Sequence, residues 1–240
     1  MRIVYLSQSY PPMVSGAALV VHRLAEGIAA RGHSVLVLAA SDKERAYTEE
    51  HGALRIARLN SLPNPMRVGQ HFLLWPQNEV AAELHAFKPD IVHSHDPLVV
   101  GLSALRALRT FERRPACVLT IHQLPWFVAA YAPPLPGLRP AIEFALWSYG
   151  NWLYEHFDCV VTPSRMIADI VAAHTRSRPQ PISNGVDVNR FNPTPAYRGE
   201  GDTLRRKYGL DPDLPIILYA GRIDADKRVD LVVCAATQAL

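Results

Sequence analysis

Three histidines and an aspartate follow two short apolar runs in the middle of the chain. His93, His95 and Asp96 stand in the segment PDIVHSHDP, and His122 stands in CVLTIHQLP. A neutral imidazole can hydrogen-bond a hydroxyl group or polarise a group as charge develops on it. These positions predict a polar site that His95, Asp96 and His122 face, with His93 in a structural role. For His122 the alternative is a histidine that only satisfies a loop carbonyl.

A metal centre is the other chemistry that this histidine-rich pattern could support. Structural zinc is held by four histidine, cysteine or carboxylate ligands, and catalytic zinc by three, at recognisable spacings. The pattern H-x-H-D, without a further cluster of ligands, matches those spacings poorly. We therefore predict that the site holds no metal.

Two other segments carry glycines or cations where a phosphate could bind. The loop PPMVSG leads to Gly16 at the start of a predicted helix, whose free amide groups and dipole suit an anion. The alternative is that Gly16 only forms a turn. The loop lacks the G-x-G-x-x-G pattern of nicotinamide cofactor sites, which argues against such a cofactor. The segment YAGRIDADKR places Gly221, Arg222 and Lys227 before another predicted helix. Two cations at a helix amino end favour a diphosphate-sized anion between them.

An apolar, aromatic and proline-rich stretch, LPWFVAAYAPPLPGL, follows His122. It is too short and too broken by proline to span a bilayer. It could form a lid over a hydrophobic ligand, dip into a membrane surface or cover the core. Arg106, Arg109, Arg113 and Arg114 could add a basic face toward anionic headgroups, with a solvated helix end as the alternative.

The elements that position these residues alternate between short apolar runs and amphipathic helices. Buried strands are predicted at 2–7, 35–39, 53–59, 90–93, 117–121 and 159–162. Helices are predicted at 17–31, 70–87 with an interruption at Pro76, 97–109, 141–157 and 164–174, the last with Ser164 as its N-cap. This alternation predicts an α/β fold with a Rossmann-like, doubly wound parallel sheet. Such sheets bind ligands beyond the carboxyl ends of their strands.

The organisation changes near residue 190. Residues 1–191 are predicted to form one domain, and the proline- and glycine-rich stretch 192–214 a linker with a short helix at 202–208. Residues 215–240 are predicted to hold the first strand, 216–220, and the first helix of a truncated second domain. We expect this last part to be poorly ordered or to pack on the amino-terminal domain or a neighbouring molecule, because the rest of its own domain is not there to cover its apolar faces.

Composition argues against several classes of protein. Hydrophobic residues make up 49% and charged residues 20% of the 240 residues, as in ordinary globular proteins. A net charge of +3 is too small to indicate a nucleic-acid partner. The apolar runs are too short for a spanning helix or a secretory leader. Cys117, Cys159 and Cys234 are predicted to be free thiols, which suits a reducing cytoplasm.

The segments above, in their order, resemble the retaining GT-B glycosyltransferases of family four. The resemblance covers essentially the whole chain and is most specific in ISNGVDVNRFNP and ILYAGRIDADKRVDLVVCA. It implies two Rossmann-like domains that face each other across a cleft. The amino-terminal domain would bind mainly the acceptor, and the carboxy-terminal domain the nucleotide-sugar donor. It also implies hexosyl transfer with retained anomeric configuration and with neither metal nor other cofactor.

The resemblance assigns donor-side roles. His122 resembles the family's catalytic histidine, which contacts the donor sugar near the reacting carbon. Gly221, Arg222 and Lys227 resemble the group that holds the donor diphosphate and stabilises its departure. Gly16 resembles one of two glycines in the loop after the first strand, and a serine stands here in place of the other. The implied mechanism is dissociative, and the leaving phosphate takes the acceptor's proton, so no pair of catalytic carboxylates is expected.

On the acceptor side the candidate residues are Tyr10, His95, Asp96 and Trp126. The segment LPNPMRVGQHFLLWP, together with the loop around Trp126, resembles branches of the family that glycosylate membrane lipids. The implied partners are a nucleotide sugar and an acceptor sugar or lipid, without nucleic acid. The implied location is the cytoplasm, with a peripheral contact to the inner face of the membrane. We expect the 240-residue chain itself to be inactive, because its donor site is incomplete.

Two other functions stay open at this point. A GT-B sugar-nucleotide epimerase would share the fold and the diphosphate-binding residues but would work without an acceptor. A non-catalytic module that binds a sugar or a nucleotide would need the same surfaces without turnover.

Overall fold

The computed structural model describes the chain except residues 66–67, 190, 193–194, 212–213, 222, 224–226 and 240. The chain divides into two compact units, Met1–Asn184 and Gly185–Leu240. No helix in the described part of the chain is both long enough and apolar enough to cross a membrane.

The first unit is built on parallel strands. Its strands are β1 (Arg2–Ser7), β2 (Ser34–Ala40), β3 (Tyr47–His51), β4 (Leu54–Leu59), β5 (Leu62–Pro63), β6 (His71–Phe72), β7 (Ile91–Ser94), β8 (Ala116–Thr120), β9 (Cys159–Thr162) and β10 (Gln180–Pro181). Eight of them form one sheet in the order β10-β9-β8-β7-β1-β2-β4-β3, and β5 and β6 form a separate ribbon. Every pairing in the large sheet is parallel except that of β3 with β4.

Helices connect these strands. They are α1 (Gly16–Ala29), α2 (Gln77–Phe87), α3 (Val100–Ala107), α4 (Pro125–Ala129), α5 (Leu138–Tyr154) and α6 (Arg165–His174) in the first unit, and α7 (Pro195–Lys207) and α8 (Val229–Ala239) in the second. The predicted doubly wound α/β fold is confirmed. The antiparallel edge strand β3, the short ribbon and α4 were not predicted. The β3 sequence, YTEEH, is mostly polar, and the strands of the ribbon and α4 are too short to show a clear hydrophobic period.

The core lies on both faces of the sheet. Along β1, Val4 and Leu6 pack into one buried cluster, and Ile3 and Tyr5 pack into another on the opposite face. Because side chains alternate across a strand, burial on both faces requires the nearly continuous apolar runs seen in the sequence. Complete burial of a side chain such as Leu6 stabilises the fold by about 1.5–3 kcal/mol.

The strand order reverses beside β1, and this reversal locates the ligand-binding edge. β1 lies between β2 and β7, so the chain builds one side of the sheet first and then crosses to the other side. The loops that follow β1 and β7 therefore leave the sheet in opposite directions and open a crevice at the carboxyl ends of these strands. In doubly wound folds, ligands bind at such a switch point.

Two helices begin at serine N-caps. Ser15 has an extended backbone (φ −153°), and its hydroxyl accepts a hydrogen bond from the Ala18 amide at 3.0 Å. Ser164, the predicted cap of α6, accepts one from the Ile167 amide at a longer 3.4 Å. Each cap satisfies one of the amide groups that a helix leaves unpaired at its start.

We predict that Ser15→Ala lowers the free energy of unfolding by about 1 kcal/mol, since it removes the better of the two caps. Ser164→Ala should cost less, because its bond is longer. Ser148→Ala is the matched control: Ser148 bonds back to the Phe144 carbonyl within α5 and is expected to be nearly neutral. Urea denaturation of the three variants measures this order, and equal losses in all three would contradict it.

The second unit departs from the sequence prediction in two places. α7 begins at Pro195, whereas the sequence predicted a linker up to residue 201 and a shorter helix after it. The predicted strand 216–220 is not formed: residues 214–221 have no assigned helix or strand, and Leu218 is 80% exposed. A strand needs hydrogen-bonded neighbours, and the described residues of this unit supply no other strand.

Candidate functional site

The structure brings three histidines together at the carboxyl ends of β7 and β8. His93 lies within β7, His95 directly follows it, and His122 follows β8, which pairs in parallel with β7. Nδ1 of His95 and Nε2 of His122 are 2.8 Å apart, a hydrogen-bond distance. His93 Nε2 lies 2.7 Å from the Thr120 hydroxyl. The ring centroids of His93 and His95 are 4.3 Å apart, and those of His95 and His122 are 5.1 Å apart.

Burial keeps these imidazoles neutral. Desolvation lowers the pKa of His122 to about 4. Desolvation, with a smaller contribution from His122, lowers the pKa of His93 to about 4. The pKa of His95 is lowered well below its ordinary value by burial and then by the two neighbouring imidazoles. At neutral pH the cluster can therefore donate and accept hydrogen bonds, but it carries no positive charge.

The contact between His95 and His122 is a direct hydrogen bond. Two nitrogen ligands of one tetrahedral zinc ion lie farther apart than 2.8 Å, because each Zn–N bond is itself ~2.0 Å long. Within the described residues, no group of three or more histidine, cysteine or carboxylate side chains is arranged to hold a metal ion.

Asp96 is engaged by the backbone of the turn that leads into α3. Its Oδ1 accepts hydrogen bonds from the amides of Leu98 and Val99, each at 3.0 Å. Burial raises the pKa of the Asp96 carboxyl, and the amide hydrogen bonds act in the opposite direction. Asp96 therefore shapes the loop beside His95 by an Asx-type turn, whereas the sequence predicted that it faces the site as an acceptor-side residue.

Gly101 fits closely against this turn and was not singled out from the sequence. Its amide donates to the Asp96 carbonyl at 3.1 Å. A Cβ atom at position 101 would lie 2.5 Å from the Asp96 carbonyl oxygen and 2.9 Å from Ser94 Oγ. Only glycine allows α3 to approach the site-bearing loop this closely. The sequence signal was a glycine in a helical pattern with no obvious turn to explain it.

The loop after β1 ends at the amino terminus of α1. Gly16 is exposed there, and a Cβ atom at this position would contact nothing within 4 Å. The Ser15 side chain, which stands where the family has a second glycine, bonds to the Ala18 amide. The amides of Gly16 and Ala17 precede the first bond within α1, so this helix end retains donors for an anion.

Tyr10 lies in the core and not at the surface predicted for an acceptor contact. The residue is 1% exposed, and its hydroxyl lies 3.1 Å from His22 Nδ1. Burial raises its pKa to about 12. The phenol fills space beneath the loop after β1, and this burial argues against the predicted contact.

Arg58 is a buried cation that the sequence did not reveal. It is 3% exposed on β4, pairs with Glu49 at 3.0 Å and donates to the carbonyl of Pro11 in the loop after β1. Its guanidinium carbon lies 5.2 Å from the centre of the Tyr10 ring. Arg58 and Tyr10 together hold the loop that carries Gly16. The available signal was a pair of arginines, Arg55 and Arg58, within the short strand-like run LRIARL.

Of the remaining predicted residues, Trp126 lies in the same unit as the histidine cluster, and Gly221 and Lys227 lie in the other unit. Trp126 lies on α4 in the first unit, is 42% exposed, and has its ring 6.4 Å from that of Trp147. Gly221 and Lys227 are exposed residues of the second unit, and Lys227 stands two residues before α8. Arg222 lies outside the described residues.

A cavity of about 500 Å³ lies between α5 and the end of α6. Its lining includes Phe144, Trp147 and His174, and none of the predicted site residues. The Trp147 and His174 rings stack at 4.4 Å. This cavity is therefore separate from the histidine cluster.

The fold and the placement of the polar cluster define a class of protein. A doubly wound sheet of this kind matches the structure of sucrose-phosphate synthase from Thermosynechococcus elongatus with a TM-score of 0.75 at 19% identity. The match covers 99% of this chain and 59% of that one. The first unit is thus a Rossmann-like domain of the GT-B type.

The chain belongs to Glycosyltransferase Family 4, whose model matches residues 14–190. A GDP-mannose-dependent alpha-mannosyltransferase of Mycobacterium tuberculosis is 27% identical over 231 residues, 95% of this chain and 58% of that protein. The alpha-monoglucosyldiacylglycerol synthase of Streptococcus pneumoniae is 22% identical over 241 residues, 100% of this chain and 53% of that protein. The chain spans little more than half the length of these curated relatives.

These findings confirm the resemblance to family four that the sequence segments carried. They do not favour an epimerase or a non-catalytic binding module, since both relatives are named for sugar transfer or synthesis.

Proposed function

We propose that this chain forms the acceptor-side domain of a retaining glycosyltransferase, which moves a hexosyl group from a nucleotide-diphosphate sugar to an acceptor hydroxyl. The observation that carries the proposal is the neutral His122 at the ligand-binding edge of the sheet, in a chain of Glycosyltransferase Family 4. The name of the first relative supports a nucleotide-sugar donor, and the name of the second supports a lipid acceptor.

The charges of the side chains determine the roles that we propose for them. His122 contacts the donor sugar as an uncharged hydrogen-bonding group, because burial disfavours its protonation. Gly221, Arg222 and Lys227 hold the diphosphate, and the two cations stabilise the negative charge that develops as it departs. Neither a metal nor another cofactor is part of this proposal, and the leaving phosphate takes the acceptor's proton.

A donor screen tests the proposal directly. The product of the complete gene is incubated with a panel of nucleotide sugars that includes GDP-mannose and UDP-glucose, with and without sugar and diacylglycerol acceptors. We expect an acceptor-dependent product with retained anomeric configuration, identified by mass and NMR. An epimerised nucleotide sugar formed without acceptor, or inversion at the anomeric carbon, would overturn the proposal. The 240-residue chain in the same assay tests its expected inactivity.

Lys227 provides a sharper test of the donor site. In the complete gene product we predict that Lys227→Ala lowers kcat about a hundredfold, because a lost transition-state charge contact typically costs this much. Lys207→Ala, which removes an exposed lysine from α7, is the matched control and should leave kcat unchanged. Equal activity of the two variants would remove Lys227 from the proposed machinery.

A lipid acceptor at a membrane surface is the finer part of the proposal. It is supported by four exposed apolar side chains on α4 and the segment after it, here called the α4 surface: Trp126, Val128, Tyr131 and Leu135. Aromatic side chains of this kind favour the interface between lipid and water. The α4 surface follows β8, at the same edge of the sheet as His122.

The basic residues do not contribute to this face as the sequence suggested. Arg106 lies in the last turn of α3, and Arg109, Arg113 and Arg114 lie between α3 and β8. All four therefore lie toward the amino edge of the sheet, opposite the edge that carries Trp126. Arg114 is moreover paired with Asp158 at 3.1 Å. The proposed membrane contact therefore rests on the α4 surface and not on these arginines.

Co-sedimentation with anionic phospholipid vesicles tests the membrane contact. We predict that the chain binds and that Trp126→Ser combined with Tyr131→Ser weakens binding at least several-fold, because each change removes apolar area from the interface. Met166→Ser, which alters an exposed apolar residue on α6, is the control and should bind normally. Absence of binding by the unaltered chain would contradict this part of the proposal.

A further inference from the structure

His95 and His122 share one hydrogen bond between two neutral rings. Their nitrogens, Nδ1 of His95 and Nε2 of His122, are 2.8 Å apart, and the ring planes differ by 20°. A neutral imidazole carries a proton on only one of its nitrogens. In this pair, therefore, one ring donates and the other accepts, and the choice fixes the proton positions on both rings.

The opposite nitrogen of His95 decides between the two arrangements. His95 is 5% exposed, and its Nε2 is buried without a hydrogen-bond partner in the described part of the chain. If His95 accepted from His122, its own proton would be on Nε2, which would bury an unpaired N–H group. If His95 donates, Nε2 is an unpaired lone pair instead. Orphaned buried N–H groups are the rarer of the two in folded proteins.

We propose that His95 is a positioning residue whose Nδ1–H donates to Nε2 of His122 and thereby fixes His122 with its proton on Nδ1. His122 then presents an N–H donor, and not a basic lone pair, on the side of the ring away from His95. The proton placement stands on this chain alone, whereas its use in sugar transfer rests on the function proposed above.

The surroundings hold the His95 ring in this orientation. Its backbone amide donates to the Leu6 carbonyl at 2.7 Å, which fixes the residue beside β1. The ring lies 4.3 Å from His93 and 5.9 Å from Tyr5, centroid to centroid. A ring flip would move Nδ1 away from His122 and break the only side-chain hydrogen bond recorded for His95 among the described residues.

The proposed proton position limits what His122 can do to a ligand. An Nδ1–H group binds an oxygen with a lone pair, such as a sugar hydroxyl or a phosphate oxygen. It cannot remove a proton from an attacking hydroxyl, so His122 is not a general base in this arrangement. That task falls to the leaving phosphate, which is the arrangement proposed for the reaction.

Long-range ¹H–¹⁵N correlation spectra of the ¹⁵N-labelled 240-residue chain at pH 7 test the proton placement. The two ring nitrogens of a neutral histidine have well-separated shifts, so the tautomer is read directly. His95→Asn and His122→Asn variants assign the two residues. We expect both rings in the Nδ1–H form. An Nε2–H form of either ring would overturn the proposal, whatever the outcome of the sugar-transfer assay.

Substitutions at His95 separate positioning from a merely structural role. Asparagine can keep a donor at the δ position, whereas leucine of similar bulk cannot. In His95→Asn we expect His122 to keep its Nδ1–H form, and in His95→Leu we expect its spectrum to shift to a mixture of forms, with thermal unfolding as the check that each variant folds. A His95→Leu variant that folds and leaves the His122 tautomer unchanged would overturn the positioning role. If His95→Leu does not fold, the spectrum of the unaltered chain alone decides.

Discussion

Gly101→Ala is expected to lower the free energy of unfolding by about 3 kcal/mol, because the added methyl group meets atoms that cannot move aside. The new Cβ would lie 2.5 Å from the Asp96 carbonyl oxygen, a backbone atom, and 2.9 Å from Ser94 Oγ. Relief requires α3 to move away from the loop between β7 and α3. That movement would break the Gly101 amide bond to Asp96 and shift His95, which begins the same loop.

Gly27→Ala is the matched control for this prediction. Gly27 lies within α1, and its new Cβ would meet only the Arg31 guanidinium at 3.6 Å, an ordinary contact. Replacing glycine by alanine inside a helix is expected to stabilise by about 0.5–1 kcal/mol. Urea denaturation should thus give shifts of opposite sign. Similar changes in the free energy of unfolding for the two variants would mean that the close approach of α3 does not restrict the size of the side chain at position 101.

The ligand-binding edge could be predicted from the sequence because it depends on strand order and local pattern. The apolar runs before His93 and His122 predicted β7 and β8, and helices between them predicted parallel pairing. Parallel neighbours place their carboxyl ends together, so the two histidine segments had to meet. The hydrogen bond between His95 and His122 follows from this geometry, but which ring nitrogens face each other does not.

Other features depend on contacts between distant parts of the chain, which a single sequence does not show. Arg58 reaches Pro11, 47 positions away in the sequence, and this contact helps to bury Tyr10. From the sequence, Tyr10 looked like an accessible loop residue. For Ser15, the sequence showed only a serine in place of a family glycine, and the structure shows that its hydroxyl caps α1.

The stretch 216–220 shows that an apolar run alone does not make a strand. Ile217 and Leu218 have the β-branched and aliphatic character of a buried strand, but they are 63% and 80% exposed. Strand formation needs hydrogen-bonding neighbours, which the sequence pattern of one segment cannot supply. In the first unit, by contrast, each predicted strand had predicted neighbours, and each was formed.

Acidification between pH 6.5 and about 4 is expected to destabilise the first unit through the histidine cluster. Burial lowers the folded-state pKa of His93 and of His122 to about 4, below the ordinary value of ~6.5 in the unfolded chain. Between these values the unfolded chain binds more protons than the folded chain, so the free energy of unfolding falls as the pH falls. This stabilisation is complete above about pH 6.5 and is lost progressively toward pH 4. Each of the two rings contributes up to ~3 kcal/mol to the free energy of unfolding.

Urea denaturation at pH 7, 6 and 5 measures this dependence before most carboxylates titrate. His93→Asn combined with His122→Asn should flatten the slope in this window, because asparagine takes up no proton. His51→Asn, which alters an exposed histidine on β3, is the control and should keep the slope of the unaltered chain. An unchanged slope in the double variant would mean that the two rings are already protonated in the folded chain at pH 5. In that case burial would not lower the pKa of the two rings, and their neutrality at pH 7 would depend only on the ordinary pKa of ~6.5.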